Sequence, residues 1–435
     1  MIHHDAATRR RMETLDADAL AAHQLRRFNA IVERILPENR FYTEKLAQAA
    51  RPLASLEDLA GWPMTYKEEL SGSASAVFAN NLTWPRERYA RLHQTSGTSG
   101  RPLVVLDAAD DWQWWIECWQ HVFDAADVQA GDAVLLAFSF GPFIGFWSAY
   151  DAAAARGCMV VPTGTMATLA RLELIRTSGA SALLCTPSYA LHIAETARQH
   201  GINTRSLGIR AVIVAGEPGG SLPSVRGRIE EDWNATVIDH AGATEVGPWG
   251  FGDRRGQGLF VLETEFIAEF LSVDTGEPAD EGQLAHLILT SLGRVGAPVI
   301  RYRTGDLVRP SWRGVDIGEG RTCRFVFLDG GVLGRADDMV TVRGVNVFPS
   351  SIDQILRGFP EVVEYRVTVT RQGELDHLHV EVEDRLGEPQ RIADELRVRL
   401  GLRVETTLVA AGTLPRFDGK GKRFVDRRKE AASQG

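Results

Sequence analysis

Cysteine is scarce in this chain of 435 residues: there are four, Cys118, Cys158, Cys185 and Cys323. None forms a C-x-x-C pair, and all four sit among apolar or small neighbours. That argues against a disulfide framework and predicts buried thiols in a reducing, cytoplasmic setting. A basic excess is also missing. Acidic residues number 57 against 48 basic ones, for a net charge of −9, which argues against nucleic-acid and lipid-surface binding. The N-terminal segment carries basic residues with no apolar stretch behind them, so no signal peptide is expected. The one long apolar run, residues 133–150, is interrupted by Gly141, Pro142 and Gly145. Two short elements joined by a turn are expected there, not a membrane span. Lysine is scarce too. Five of the 48 basic residues are lysines: Lys45, Lys67, Lys420, Lys422 and Lys429.

What is present is an ordinary globular balance, 44% hydrophobic and 24% charged residues. At this length a single core rarely suffices, and two domains are expected. Short aliphatic runs at residues 133–138, 159–162, 182–185, 211–215 and 236–239 alternate with helix-like stretches at 187–200 and 222–233. This rhythm predicts an α/β fold with a doubly wound, mainly parallel sheet. Ligands of such sheets bind beyond the strand carboxyl ends, here residues 215–218 and 239–245. Residues 284–289 and 299–302 read as strands of a more antiparallel part. Beyond residue 334 the pattern changes to a hairpin over 363–370 and 378–382, a helix over 392–400 and a strand over 404–409. A small α+β domain over 336–435, following a large one over 1–335, is therefore expected. Trp112, Trp115 and Trp119 recur at helical spacing and read as packing or a subunit interface.

Five stretches carry chemistry. Thr95, Ser96, Gly97, Thr98, Ser99 and Gly100 offer hydroxyls, and backbone N–H groups that glycine lets converge on a phosphate. Such a composition also suits a plain surface loop, and Arg101 stands where a P-loop would carry lysine. Ala241, Gly242, Ala243, Thr244 and Glu245 place a carboxylate beside a hydroxyl at a strand end, a possible Mg²⁺ site or simply a solvated loop. Arg301-Tyr302-Arg303-Thr304-Gly305-Asp306-Leu307 offers an aspartate that could accept from a ribose diol or cap its own turn. Residues 334–349, with Arg335, Asp337 and Arg343, are polar and glycine-bearing, as a hinge should be. Residues 415–423 set Lys420 and Lys422 in a glycine loop, where a compact mobile cation can reach an oxyanion. The bland alternative is a basic solvated tail.

In order and spacing these five stretches resemble the adenylate-forming superfamily of acyl-CoA synthetases, and within it the phenylacetate-CoA ligase branch. The likeness runs from about His93 to Arg423. It implies that a carboxylate attacks the α-phosphate of ATP, giving an acyl-adenylate and pyrophosphate, and that a thiol, usually that of coenzyme A, then attacks the activated carbonyl. It also implies roles. Thr95–Gly100 would cradle the β- and γ-phosphates. Thr244 and Glu245 would meet the α-phosphate and Mg²⁺. Gly216, Glu217, Pro218, Asp239, His240, Ala241, Gly242 and Ala243 would line the adenine pocket. Asp306 and Arg335 would hold the ribose. Lys420 would bridge carboxylate and α-phosphate as the catalytic cation. Asp337 would be the pivot of a mobile small domain that brings Arg343, Gly344 and Val345 to the coenzyme A tunnel.

Ala241 departs from the pattern, since relatives usually carry an aromatic residue there. The acid pocket is expected from Phe140, Phe143, Trp147, Ala215, Gly216, Ala241 and Gly242, whose flat rings and small residues suit an aromatic acid. Only Cys323 remains where some relatives carry a cysteine-rich insert, so no structural zinc is expected. The expected substrates are an aromatic acid, ATP and coenzyme A, in a homodimer. The room left by Ala241 keeps open a second reading, a stand-alone adenylating enzyme that passes an aminobenzoate-type acyl group to a carrier protein or an amine.

Overall fold

The computed structural model describes all residues except 1, 3, 50, 72–76, 96–101, 319, 339, 344, 373–374, 416–422 and 429–435. Ser96–Gly100, Arg101, Gly344, Lys420 and Lys422 therefore lie outside the described residues.

Three helices open the chain, α1 (Ala6–Met12), α2 (Ala17–Ile35) and α3 (Arg40–Lys45), followed by the short α4 (Lys67–Ser71). Asp5, Asp16 and Asn39 start the first three by accepting a backbone N–H from the first turn. Strands β1 (Tyr89–Gln94) and β2 (Val104–Ala108) pair antiparallel, and α5 (Ala109–Ala125) leaves directly from β2.

Alternating strands and helices then build the central sheet. They are β3 (Ala133–Leu136), α6 (Trp147–Arg156), β4 (Met159–Pro162), α7 (Thr168–Ser178), β5 (Ala182–Cys185), α8 (Pro187–Gln199), β6 (Ala211–Val214), α9 (Pro223–Trp233) and β7 (Thr236–Ala243). The apolar run at 133–150 is thus one strand, a turn and the start of a helix. No described helix is long and apolar enough to cross a membrane. In space the order is β4-β3-β5-β6-β7, all parallel. Both faces of β3, β5, β6 and β7 are covered, as a parallel sheet requires, while the edge strand β4 is partly exposed. Val134, Leu136, Leu184, Ile213 and Ile238 join the core under α5 and α6. Leu135, Leu183, Val212, Val214 and Val237 point the other way, toward Ile175 of α7, Ile193 of α8 and Ile229 of α9.

β7 changes partners midway. It pairs with β6 as far as Asp239, and from His240 it pairs antiparallel with β8 (Gly247–Gly252). The sheet continues antiparallel through β9 (Gly258–Val261) and, at its edge, β13 (Pro310–Ser311) and β16 (Phe327–Asp329). A second, antiparallel sheet holds β10 (Phe266–Ser272), β11 (Ala285–Ser291), β12 (Tyr302–Val308) and β17 (Gly334–Arg335). The hairpin β14 (Val315–Gly318) and β15 (Arg321–Cys323) lies between. One strand expectation shifts here. Residues 299–301 are not strand, because Arg301 takes a left-handed φ of 47° and β12 starts after it. The Arg301 carbonyl is then free to accept from Thr65 N–H at 2.8 Å.

Residues 340–408 carry a core of their own. The hairpin β18 (Val340–Val342) and β19 (Val345–Val347) leads into α10 (Pro349–Arg357). A four-stranded sheet follows, ordered β22-β21-β20-β23, from β20 (Val362–Gln372), β21 (Leu375–Asp384), β22 (Glu405–Leu408) and β23 (Phe424–Asp426), with α11 (Pro389–Leu400) between β21 and β22. Val347, Ile352, Leu356, Val367, Val380, Ile392 and Leu396 are buried together inside it. The β20–β21 hairpin runs longer than its sequence pattern, because Arg371 and Asp376, beyond the expected strand ends, pair across it at 2.9 Å and extend the ladder with charge.

Candidate active site

Several of the expected site residues lie where strands of the central sheet end; Asp306 and Arg335 lie in the second sheet and Arg343 in the C-terminal unit. Beyond β3 lies a cluster of rings. Phe138 meets Phe140, Phe143 and Phe146 edge-on, with centroids 5.8, 5.3 and 5.5 Å apart, and Phe140 meets Trp147 at 4.7 Å. The Trp147 indole N–H donates to Gly141 O at 3.0 Å, which fixes the turn. Phe138, Phe140, Trp147, Ala215, Ala241 and Ala243 are half-buried and rest on one core cluster. Rings and three alanines thus share one cluster. The Pro142 carbonyl accepts from Gln94 N–H at 2.6 Å, joining this turn to β1.

β1 and β2 lead into and out of residues 95–103. Thr95 closes that neck: its N–H donates to Leu103 O at 2.9 Å, and its hydroxyl accepts from Leu103 N–H at 3.0 Å. Thr95 is the one residue of the expected phosphate loop that is described, and it is buried.

After β6, Glu217 accepts from Ser188 N–H at 2.7 Å. Burial pushes its carboxyl up, against the pull of that bond. Asp239 is buried where β7 switches partners. It accepts from the Ser221 hydroxyl at 2.6 Å and from His240 N–H at 3.0 Å, and burial still raises its carboxyl to about 6. His240 lies 4.2 Å from the Trp119 ring, and its Nδ1 is 2.8 Å from Gly250 O. Burial lowers it to about 4, so it is neutral at pH 7. The side chains of both Asp239 and His240 have partners inside the protein.

Thr244 and Glu245 occupy the turn between β7 and β8, and both are buried. Arg294 holds this turn from below: its Nη1 donates to Thr244 O and to Glu245 O, each at 2.9 Å. Trp114 of α5 fits a slot between two glycines. A Cβ at Gly247 would come within 2.7 Å of the Trp114 ring, and one at Gly293 within 2.2 Å. The tryptophans of α5 are therefore packing residues that shape the site from behind.

The Glu245 carboxylate meets a residue that the motifs did not assign, Lys67 of α4, whose Nζ lies 3.2 Å from Oε1. Thr65 carries α4 there by lacing onto both sides of Arg301: its N–H donates to Arg301 O, and its carbonyl accepts from Arg303 N–H at 3.0 Å. The scarcity of lysine was the available signal, since Lys67 is one of only two lysines outside the tail. Mg²⁺ asks for one or two carboxylates plus phosphate oxygens. Glu245 with the Thr244 hydroxyl fits that demand. No group of three or more potential metal ligands occurs among the described residues, so such an ion would depend on the nucleotide for its remaining ligands.

β12 and β17 set Asp306 opposite Arg335. Their side chains pair at 3.4 Å, and Arg335 also pairs with Asp337 at 3.0 Å. Arg343 and Val345 lie in the β18–β19 hairpin, with Arg343 Nε donating to Asp376 O at 3.1 Å. Described residues on either side of Lys420 in the chain are held by buried carboxylates. The buried Glu383 accepts from Gly412 and Leu414 N–H at 3.0 and 2.7 Å. On the other side Glu364 pairs with Arg423 at 2.6 Å.

Residues 344–428 match the AMP-binding enzyme C-terminal domain. Over 436 residues the chain is 33% identical to phenylacetate-coenzyme A ligase of Pseudomonas putida, covering 96% of each protein. It belongs to the phenylacetate-coenzyme A ligase family. The enzyme of that name from Thermus thermophilus is 31% identical over 453 residues, with 96% of this chain and 99% of that one covered. As a member of this family the protein is an AMP-forming acid–thiol ligase with the adenylate-forming fold. A crystal structure of 2-hydroxyisobutyryl-CoA ligase in the postadenylation state superposes with a TM-score of 0.90 and 28% identity, covering 99% of this chain and 95% of that one. The same ligase in its thioesterification state gives 0.72.

Proposed function

We propose that the protein activates an aromatic carboxylic acid, aryl or arylacetic, as its adenylate and transfers the acyl group to coenzyme A, releasing AMP and pyrophosphate. What supports the acid class is the ring cluster beyond β3, where half-buried Phe140 and Trp147 pack on the same core cluster as the small residues Ala215, Ala241 and Ala243. Rings set edge-to-face to one another offer a flat ring further contacts of the same kind. The alanines leave it depth.

The first half-reaction must bring an anion against a polyanion, so positioning and cations do most of the work. Thr95–Gly100 hold the β- and γ-phosphates with N–H and hydroxyl donors. Gly216–Pro218 and Asp239–Ala243 border the adenine. Asp306 accepts from the ribose hydroxyls while Arg335 holds its carboxylate in place. Thr244 donates toward the α-phosphate, and Glu245 is the carboxylate ligand for Mg²⁺, which when bound offsets phosphate charge. Lys67 keeps the Glu245 carboxylate in one orientation. Lys420 spans the attacking carboxylate and the α-phosphate, stabilising charge as the new C–O–P linkage forms and pyrophosphate leaves. Residues 336–435 then turn about Asp337. That withdraws Lys420 and brings Arg343–Val345 to the path of the coenzyme A thiol, which displaces AMP from the acyl carbonyl.

The test is product identity. Purified protein is incubated with ATP, Mg²⁺ and phenylacetate or ring-substituted aryl acids, with and without coenzyme A, and the products are read by mass spectrometry. An aryl-CoA thioester together with AMP is expected. Aryl-adenylate accumulating despite coenzyme A would overturn the acceptor. Turnover of short aliphatic acids alone would overturn the acid class.

A further inference from the structure

The two halves of the proposed nucleotide site come from distant parts of the chain. One is the β1–β2 hairpin that flanks residues 96–101; the other is the Thr244–Glu245 turn. One buried side chain touches both. Arg294 has 0% of its side chain exposed. Its Nη1 donates to the carbonyls of Thr244 and Glu245. Its Nη2 lies 2.6 Å from Asp107 Oδ1, in β2.

Asp107 is itself held in place. The Trp115 indole N–H donates to Oδ1 at 3.1 Å, and His93 Nδ1, in β1, lies 3.7 Å from Oδ2. Burial alone would raise this carboxyl. Arg294 and His93 outweigh it and keep Asp107 below the usual carboxylate range, hence charged. The Arg294 guanidinium also lies over the Trp115 ring, 5.4 Å from its centroid. The next residues are fixed from the same helix: Asp111 accepts from Val295 and Gly296 N–H at 2.8 and 3.0 Å. A buried ion pair of this kind is a poor source of net stability, because desolvation offsets most of the attraction. Its geometry is a better source of registration. A planar guanidinium that spans two carbonyls and a carboxylate fixes three points at once, which a single-point cation cannot do.

We infer that Arg294 is a positioning residue: through Asp107 and the Thr244 and Glu245 carbonyls it sets the register between the hairpin that grips the terminal phosphates and the turn that meets the α-phosphate and its metal. This rests on the adenylation reading above. Loss of the bridge should weaken Mg·ATP use more than acid use, because Arg294 touches the turn and β2 and none of the rings beyond β3.

The test is acid-dependent ATP–pyrophosphate exchange with Arg294→Met, Arg294→Lys and the double variant Arg294→Met/Asp107→Asn, alongside melting temperatures. Arg294→Met strands the Asp107 charge and lowers the melting temperature. The double variant removes both charges and recovers most of that loss. A residue that served stability alone would recover its kinetics with its stability. The inference expects instead that the double variant keeps a KM for Mg·ATP about tenfold above wild type, with the KM for the acid within about twofold. Arg294→Lys, which keeps the charge but not the span, should fall between. A double variant or a lysine variant with wild-type KM for Mg·ATP overturns the inference. If the wild type itself shows no exchange, it is the adenylation reading that fails. The register is then read from Mg·ATP affinity by calorimetry, where the double variant should again lose about tenfold and an unchanged affinity overturns the inference.

Discussion

The Thr244–Glu245 turn and the C-terminal unit that carries Lys420 are held in opposite ways. The turn rests on buried groups: Arg294, Asp107 and Trp114 lie beneath it, and Lys67 reaches its carboxylate. The C-terminal unit has its own core, and its contacts with the large part include polar ones nearer the surface. The Ser224 hydroxyl donates to Gln354 O at 2.9 Å, and Arg385 pairs with Glu195 at 2.7 Å, with about half of the arginine exposed. Buried networks resist displacement, whereas exposed pairs contribute about 0–1 kcal/mol and exchange readily with water. The comparison teaches that the proposed chemistry divides along this line. Groups that must stay with the nucleotide are built into the core, and the cation that must arrive and leave is carried on a unit attached at its surface.

The largest expected effect comes from the mobile side. Lys420→Ala should cut acid-dependent ATP–pyrophosphate exchange by about 10²–10⁴-fold with the melting temperature unchanged; wild-type exchange in that variant would move the role to Lys422. On the fixed side, Glu245→Gln should raise the Mg²⁺ needed for half-maximal exchange by about 10–100-fold. Lys67→Met should lower exchange by about tenfold, because the Glu245 carboxylate loses the partner that orients it. A loss much larger than that would mean Lys67 meets the substrate directly.

The surface attachment should be far more forgiving. Arg385→Ala should change exchange by less than about twofold, since an exposed pair is worth little, while shifting the ratio of thioester formation to adenylation measured on the same preparation. A collapse of both half-reactions would mean the contact is structural. The smallest effect concerns pH. Burial raises Glu263 to about 7, although Val326 N–H donates to it at 2.6 Å. Its folded value lies above its unfolded one, so this group costs stability as pH rises from about 4.5 to 7. Glu263→Gln should therefore raise the melting temperature by about 2 °C at pH 8, and by less at pH 5. An equal change at both pH values would contradict the assignment.

The parallel core was legible because its signal is local. Aliphatic runs of four or five residues, each followed by a helix-length stretch, can form few other things, and the strand at residues 182–185 appears where the pattern put it. The strand ends were less legible. β7 runs on to Ala243 because β8 takes over as its partner after Asp239, a tertiary pairing with no local trace. Residues 299–301 looked like strand by composition, yet Arg301 turns left-handed to receive Thr65. At the proposed site, glycine- and hydroxyl-rich stretches could be picked out by composition, since backbone approach to a phosphate would need those residue types. Lys67 and Arg294 did not. A lone lysine at a helix start and a lone arginine after a strand carry no motif, and their meaning lies in partners 178 and 187 residues away along the chain, Glu245 and Asp107.

The central claim is that this protein joins an aromatic acid to AMP. Acid-dependent exchange of labelled pyrophosphate into ATP, with coenzyme A omitted, tests it most directly. The account predicts exchange that requires an aryl or arylacetic acid and Mg²⁺ and that vanishes without the acid. Label incorporation that is independent of any acid, or absent across a panel of aromatic acids, would contradict it.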